Sequence, residues 1–253
     1  MRLVTSNRLE GLLSALAETL EVPLASPLAA EQVVVPAGGM SRWLTQALAR
    51  RFGVCAGVEM RSVEGFAAWA VAQVDGLGPD AVFGSPTSLA WRIAETLPPL
   101  LAEPEFEAVA RYLEMGQPDA LHQLSEQMAV TFHRYLHQRP AWVCAWDAGE
   151  RAPMRGEAAT HEAWQRLLWQ ALVGAEPTHL AARLPAFVQA CESRRVDAAT
   201  LPERLLVFAP HSIGPLHLDV LTALTHVLPT HVFALSPAPN KTQHPLTKSI
   251  KEH

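Results

Sequence analysis

Residues 31–53 read EQVVVPAGGMSRWLTQALARRFG. Gln32 to Val35 is a short, largely β-branched run that suits a buried strand, and Pro36 stops it because proline cannot donate to a sheet ladder. Gly38 and Gly39 supply the freedom for a tight turn and a close backbone approach above the strand end. Met40, Trp43, Leu44, Leu48 and Phe52 then recur at spacings of three and four, which predicts one apolar stripe of a helix. Arg42, Arg50 and Arg51 fall among the more polar positions. A strand feeding a helix through a glycine turn is half of a βαβ unit, and open parallel sheets gather ligands at such turns. The stretch has the shape of a nucleotide site, so the question is whether the chemistry accompanies it.

Outward from this unit the rhythm repeats. Arg2 to Thr5 predicts a first strand. A helix starting at Ser6 or Asn7 follows, with Asn7 and Glu10 at capping-box spacing and Leu9, Leu12, Leu13, Leu16 and Leu20 on its apolar face. Pro23 and Pro27 mark the next loop. Val58 to Arg61 predicts a third strand, and Ser62 is placed to cap a helix carrying Phe66, Trp69, Ala70 and Val74. Strands alternating with helices predict a parallel sheet covered on its faces.

From about residue 76 the pattern becomes helical. Leu89–Leu97, Phe106–Tyr112, Leu121–Leu136, Glu162–Val173 and Leu180–Cys191 read as helices, punctuated by Pro98-Pro99, Pro118, Pro140, Pro153 and Pro177. The sheet resumes with Arg204–Ala209, a helix over Pro215–Val227 and a strand over His231–Leu235. The expected organisation is an α/β domain over 1–84, an all-helical insertion over 85–200, completion of the α/β domain over 201–240, and a separate tail over 241–253.

Composition narrows the function classes. A net charge of −5 argues against a free-standing nucleic-acid binder, while leaving room for a local basic groove. Cys55, Cys144 and Cys191 are scattered and odd in number, which suits reduced thiols. With no signal-peptide pattern and no apolar run of about 18–20 residues, a cytoplasmic chain without membrane contact is expected. The body carries 17 arginines and no lysine, whereas Lys241, Lys248 and Lys251 all lie in the last thirteen residues. That break marks 241–253 as a disordered tail foreign to the body.

The catalytic constellations fail one by one. A P-loop needs a glycine-rich turn, a lysine that reaches the phosphates and a hydroxyl on Mg²⁺. The first strand-to-helix turn, Thr5-Ser6-Asn7-Arg8, has neither glycine nor lysine, and the second, Ala37 to Ser41, has no lysine. At the end of the late strand, where a motor places its magnesium-binding carboxylate, stand Phe208 and Ala209. ATP hydrolysis is therefore not expected. His133 and His137, four apart with Glu126 and His122 nearby, have a spacing that can hold a metal. No third ligand stands at a diagnostic spacing, so a solvated helical face is the expected reading and no metal is assigned. His211-Ser212 lacks an acid and an oxyanion turn. Tryptophans stack on single-stranded bases in some proteins, but Trp91, Trp164 and Trp169 sit at helical spacing, which favours core packing.

The runs LVTSNRLEGLLSALAETL, VVVPAGGMSRWL with ALARRFGV, YLHQRPAWVCAWDAGE, HEAWQRLLWQALV and RLLVFAPHSIGPLHLDVLTAL resemble the N-terminal part of the RecC (gamma) subunit family of exodeoxyribonuclease V. The RPxW…W…G and AWQxxLW runs are the specific ones. The resemblance runs from residue 1 to about residue 238 and leaves out the tail. It implies an inactivated superfamily-one helicase (RecA-like) domain with a large helical insertion. It also implies a non-motor subunit of the RecBCD helicase–nuclease that holds a RecB-like helicase–nuclease and a RecD-like helicase, splits the duplex, and helps to read Chi in the emerging strand. ATP and Mg²⁺ would be used by those partners, with no cofactor and no catalytic residue in this chain. Thr5, Ser6, Asn7, Arg8, Phe208 and Ala209 would then be degenerate nucleotide-site positions. Gly39, Ser41, Arg42, Arg50 and Arg51 are the candidate DNA contacts, since strand-end loops and arginines suit phosphates. The alternatives are an orphan α/β domain that binds an anion or nucleotide at Gly38-Gly39, and a nonfunctional truncation product.

Overall fold

A computed structural model describes residues 1–36, 38–78, 83, 85–174, 177–197 and 199–236; the 241–253 tail lies outside the described residues. Five strands, β1 (Arg2–Ser6), β2 (Glu31–Val35), β3 (Val58–Ser62), β4 (Leu205–Phe208) and β5 (Thr230–Leu235), form one sheet in the order β1-β5-β4-β2-β3. Every pairing is parallel. The helices are α1 (Leu9–Leu20), α2 (Gly38–Phe52), α3 (Val63–Asp75), α4 (Pro86–Leu100), α5 (Glu107–Met115), α6 (Ala120–Gln138), α7 (Pro140–Asp147), α8 (Glu157–Thr160), α9 (Glu162–Val173), α10 (Leu180–Glu192) and α11 (Pro215–Leu224). None among the described residues is long and apolar enough to cross a membrane.

The described residues fall into two compact units. The sheet unit takes Met1–Leu77, Phe187–Ile213 and the residues from His217 on. Side chains alternate across a strand, so Val33 and Val35 of β2 and Leu206 and Phe208 of β4 face one way, into a core with Leu12, Leu16, Leu44, Leu48 and Phe233. Val34, Leu205 and Val207 face the other way and are buried too, as expected when helices cover both faces. On that second face α3 packs against β2 and β3. Ser62 caps α3 as its position predicts, its Oγ accepting from the Gly65 amide at 3.0 Å.

The strand order reverses between β2 and β4. From β2 the chain moves outward through α2 to β3, and from β4 it moves the opposite way to β5. The carboxyl ends of β2 and β4, held side by side by the Val34–Val207 register, are therefore the topological switch point of the sheet.

The helical unit spans the described residues of Gly78–Ala186 with Gly214–Leu216. It contains no strand among them. Its centre is aromatic: Phe132, Trp146 and Trp169 are each 1% exposed or less, with the Phe132 ring edge-on to Trp169 at 5.6 Å. Pro98 and Pro99 do not end their helix as expected. They lie inside the last turn of α4, which tightens into i→i+3 bonding, Leu101 N–H to Pro98 O at 3.3 Å. Pro140 does not mark a loop either. It is the first residue of α7, where its missing N–H has no helical partner to lose.

Candidate functional site

The switch point gathers two of the sequence-derived groups. After β2 the helix α2 starts at Gly38, without a left-handed glycine. This corrects the expected sharp glycine turn: Gly38 and Gly39 are simply the exposed first residues of the helix, and a Cβ at either would meet nothing within 4 Å. Their small size instead leaves the amides of the first turn open to solvent, the usual setting for anions. Ser41 is half-buried and Arg42 exposed one turn on.

Beside them, the end of β4 is packed rather than chemical. Phe208 is fully buried, with the Trp43 ring stacked at 6.3 Å and 26° and Phe233 at 6.3 Å on its flank. Ala209 follows in a left-handed conformation (φ 47°), its amide donating to Phe233 O at 2.7 Å. A side chain with no donor or acceptor thus occupies the strand end.

The turn after β1 is also closed. Ser6 is 7% exposed, and its Oγ accepts from the Arg8 amide at 3.1 Å. A Cβ on Gly11 would lie 2.5 Å from that oxygen, so the glycine lets α1 settle against the strand end. The expected Asn7–Glu10 capping box does not form. Arg8, not Asn7, is the N-cap of α1, and it makes no side-chain cap because a guanidinium has no acceptor for a first-turn amide. Thr5 is half-buried, and Asn7 and Arg8 are exposed.

The five candidate contact residues do not form one patch. Arg50 lies about 12 Å along the helix axis from Arg42. Arg51, half a turn round from Arg42, pairs with Glu21 at 3.1 Å. Among the described residues Arg42 and Arg50 make no ion pair. Phe52, expected in the apolar stripe, is 41% exposed, with the Arg51 guanidinium 6.0 Å from its ring.

At the opposite, amino edge of the sheet, Arg204 pairs with Glu31 and donates to Val22 O at 2.6 Å. His231 sits near them on β5. Burial, then the positive charges of Arg2, Arg204 and the amino terminus, hold its pKa below the ordinary histidine value, with Glu31 opposing. The folded chain therefore favours the neutral ring. Its contribution to stability is whole above the unfolded value of about 6.5 and is lost as the pH falls below it. The urea midpoint should fall between pH 8 and pH 5.5, and fall less in His231→Gln. An equal fall in both proteins would remove His231 as the cause.

In the helical unit, the sequence reading missed a buried polar chain. Glu162, 5% exposed, accepts from Trp146 Nε1 at 2.8 Å and from the Ala152 amide at 3.1 Å. Arg166 Nε lies 3.6 Å away, close enough for an ion pair but too long for a hydrogen bond. Asp147 accepts from Trp169 Nε1 at 2.8 Å and lies 2.9 Å from His179 Nε2. His179 Nδ1 accepts from the Ala182 amide, so His179 caps α10 and its proton sits on Nε2. This Asp–His pair is engaged in structure, through Trp169 on one side and the Ala182 amide on the other. Cys144, pushed up by burial and then by Asp147, keeps its proton near neutral pH. So does Cys191 of the sheet unit, pushed up to about 11 chiefly by burial.

Two histidine expectations change. His137 is 7% exposed, not on a solvated face, and its Nε2 lies 3.3 Å from that of His133. His122 pairs instead with Glu126 at 3.5 Å and lies 5.3 Å from the Trp91 ring. Trp91, expected in the core, is 65% exposed. His211 and Ser212 are exposed and make no hydrogen bond among the described residues.

The comparisons extend this picture. The family described as RecC, N-terminal domain, matches residues 1–250. The chain is 33% identical over 238 residues to the RecBCD enzyme subunit RecC of Mycolicibacterium smegmatis, covering 89% of this chain and 20% of that protein. Against the subunit of the same name from Escherichia coli it is 30% identical over 248 residues, covering 94% and 22%. The Haemophilus influenzae subunit is 27% identical over 262 residues, covering 92% and 23%. The chain thus spans about a fifth of the length of the curated relatives it matches. By its match along nearly the whole sequence, the chain belongs to the RecC family and corresponds to its N-terminal domain.

Proposed function

We propose that this chain serves in the non-motor subunit of an ATP-dependent DNA helicase–exonuclease complex of the cytoplasm, in double-strand-break repair and recombination. It would scaffold RecB-like and RecD-like partners and guide unwound DNA, while ATP and Mg²⁺ act in those partners. Its sheet unit would be a superfamily-one helicase domain that has lost its nucleotide chemistry, with the helical unit as its insertion. The observation that carries this reading is Phe208. A fully buried aromatic under Trp43 stands at the switch point where a motor needs a carboxylate. Closure of the β1 turn by Ser6 against Gly11 supports it.

DNA contact is assigned to the carboxyl edge at Gly39, Ser41 and Arg42, with Arg50 adding a second phosphate contact along α2. Arg51 contributes less because Glu21 already holds it. The test is co-expression with the helicase–nuclease subunit of the same genome, followed by size-exclusion chromatography and DNA titration of the complex. Co-elution is expected. Arg42→Ala with Arg50→Ala should weaken DNA binding uniformly across sequences and flatten the salt slope by about 2, one unit for each phosphate no longer neutralised. Gly39→Ala, which the open space above Gly39 admits, should weaken it only if backbone approach matters. A chain that elutes alone, or an unchanged salt slope, would overturn the corresponding assignment. Calorimetric binding of ATP with Mg²⁺ by the isolated chain would instead favour an anion site at the bare start of α2.

A further inference from the structure

A cavity of about 320 Å³ lies in the helical unit among α5, α6 and α9. The volume sits at the lower end of the roughly 300–1,000 Å³ range of ligand sites, which suits one ring system rather than an extended molecule. Its walls are largely apolar and aromatic, with Val109, Tyr112, Met128, Phe132 and Trp164 among them. Gln165 also lines it, and there the wall is unfinished. This side chain is more than nine-tenths buried, yet its carboxamide makes no hydrogen bond among the described residues, and its Oε1 is closed off from solvent as well. A buried acceptor without a donor is costly, so native proteins seldom leave one.

The chemistry of the lining limits what completes it. No aspartate, glutamate, lysine or arginine is among the lining residues, so a charged group would be buried there without a partner, at high cost. The polar groups that remain are hydroxyls, carboxamides and an imidazole. Thr131 donates to Gln127 O at 2.9 Å, which leaves its oxygen as an acceptor. His161 Nδ1 accepts from Trp164 Nε1 at 3.3 Å, which leaves Nε2 to carry the proton of the neutral ring. The Gln165 carboxamide carries an acceptor and donors together, and with neither end held it turns about its last torsion to present them. A side-chain amide of this kind reads a planar base that sets an amino donor beside a ring-nitrogen acceptor, as glutamine does with adenine. The flat faces of Phe132 and Trp164 suit the ring of such a base.

We propose that this pocket binds an uncharged aminopurine-type heterocycle, held flat against Trp164 and Phe132 with its amino and ring-nitrogen edge on the Gln165 carboxamide. The base belongs to a free nucleoside or to a single strand, and the chemistry recognised is the same in both. The proposal does not rest on the subunit role above, since the pocket belongs to the helical unit whatever assembly the chain enters.

The test is calorimetric titration of the full chain with adenosine, and with purine riboside, which lacks the exocyclic amino group. Adenosine should bind about tenfold tighter, the effect of one hydrogen bond to a buried group. AMP should bind no tighter than adenosine, because no cation lines the pocket to meet its phosphate. Gln165→Leu should abolish the preference for the amino group, while leaving any ATP binding at the bare start of α2 unchanged. Ala108→Trp, at an exposed position on the wall, should fill the mouth and remove binding without disturbing the fold. Competition then assigns the source: displacement of adenosine by oligodeoxyadenylate but not by oligothymidine supports a base within a strand, and no displacement by either supports a free nucleoside. No binding of adenosine, equal affinity for the two nucleosides, tighter binding of AMP, or unchanged binding by Ala108→Trp would each overturn the proposal.

Discussion

Phe208→Asp is expected to unfold the sheet unit rather than to create a magnesium site. Removing a buried phenylalanine costs about 3–5 kcal/mol in forfeited packing and the cavity left behind. An ionised carboxylate in the same apolar position adds several kcal/mol of desolvation. Together these approach the roughly 5–15 kcal/mol that holds a typical domain. Phe208 touches Trp43 on one side and Phe233 on the other, so neither α2 nor β5 can close the gap without leaving its own place. Circular dichroism with limited proteolysis at 25 °C should report loss of cooperative structure, whereas Phe208→Leu should stay folded. A folded aspartate variant that hydrolyses ATP would refute the reading of this strand end as packing.

The second large effect is expected in the helical unit. Glu162→Ala should destabilise it by about 3–5 kcal/mol, because a buried indole N–H and a buried amide lose their acceptor and Arg166 loses its counter-charge. Glu162→Gln keeps an oxygen in place and should cost only about 1–2 kcal/mol. Urea unfolding followed by tryptophan fluorescence separates the two, since Trp146 and Trp169 lie in the affected core. A loss below about 1 kcal/mol in the alanine variant would mean that water replaces the carboxylate readily.

How much of this was legible depended on range. The strands could be read because a buried parallel strand is a short apolar run, and Val33–Val35 and Leu205–Phe208 are such runs. Helix periodicity located α6 and α9 because their apolar faces recur over three turns or more. α7 was missed because Pro140 reads as a breaker when isolated and as a helix start only once the residues after it are known to pack. The glycine pair was over-read: a Gly-Gly after a strand permits a left-handed turn but does not require one. The largest omission was the polar chain. Asp147 and His179 are 32 positions apart, and Glu162 looks like an ordinary surface residue of an amphipathic helix. Nothing local predicts that the tryptophan-bearing segments will fold onto one another and bury those groups. A hint lay in the two runs themselves, because buried indole N–H groups need acceptors, and each run supplies an acid to the other's tryptophan.

The strand order also sets a schedule. β2 and β3 are near neighbours in sequence and can pair early, and the helical unit can form from local interactions as soon as it leaves the ribosome. β1 is different: its neighbour in the sheet is β5, with Arg2 opposite His231, so β1 must wait for β5. Closing so long a loop is slow, and until then β1 has both of its edges unpaired, where the finished sheet pairs one of them with β5. During synthesis, then, β1 is the strand most in need of protection, although all five of its residues are paired with β5 in the finished fold.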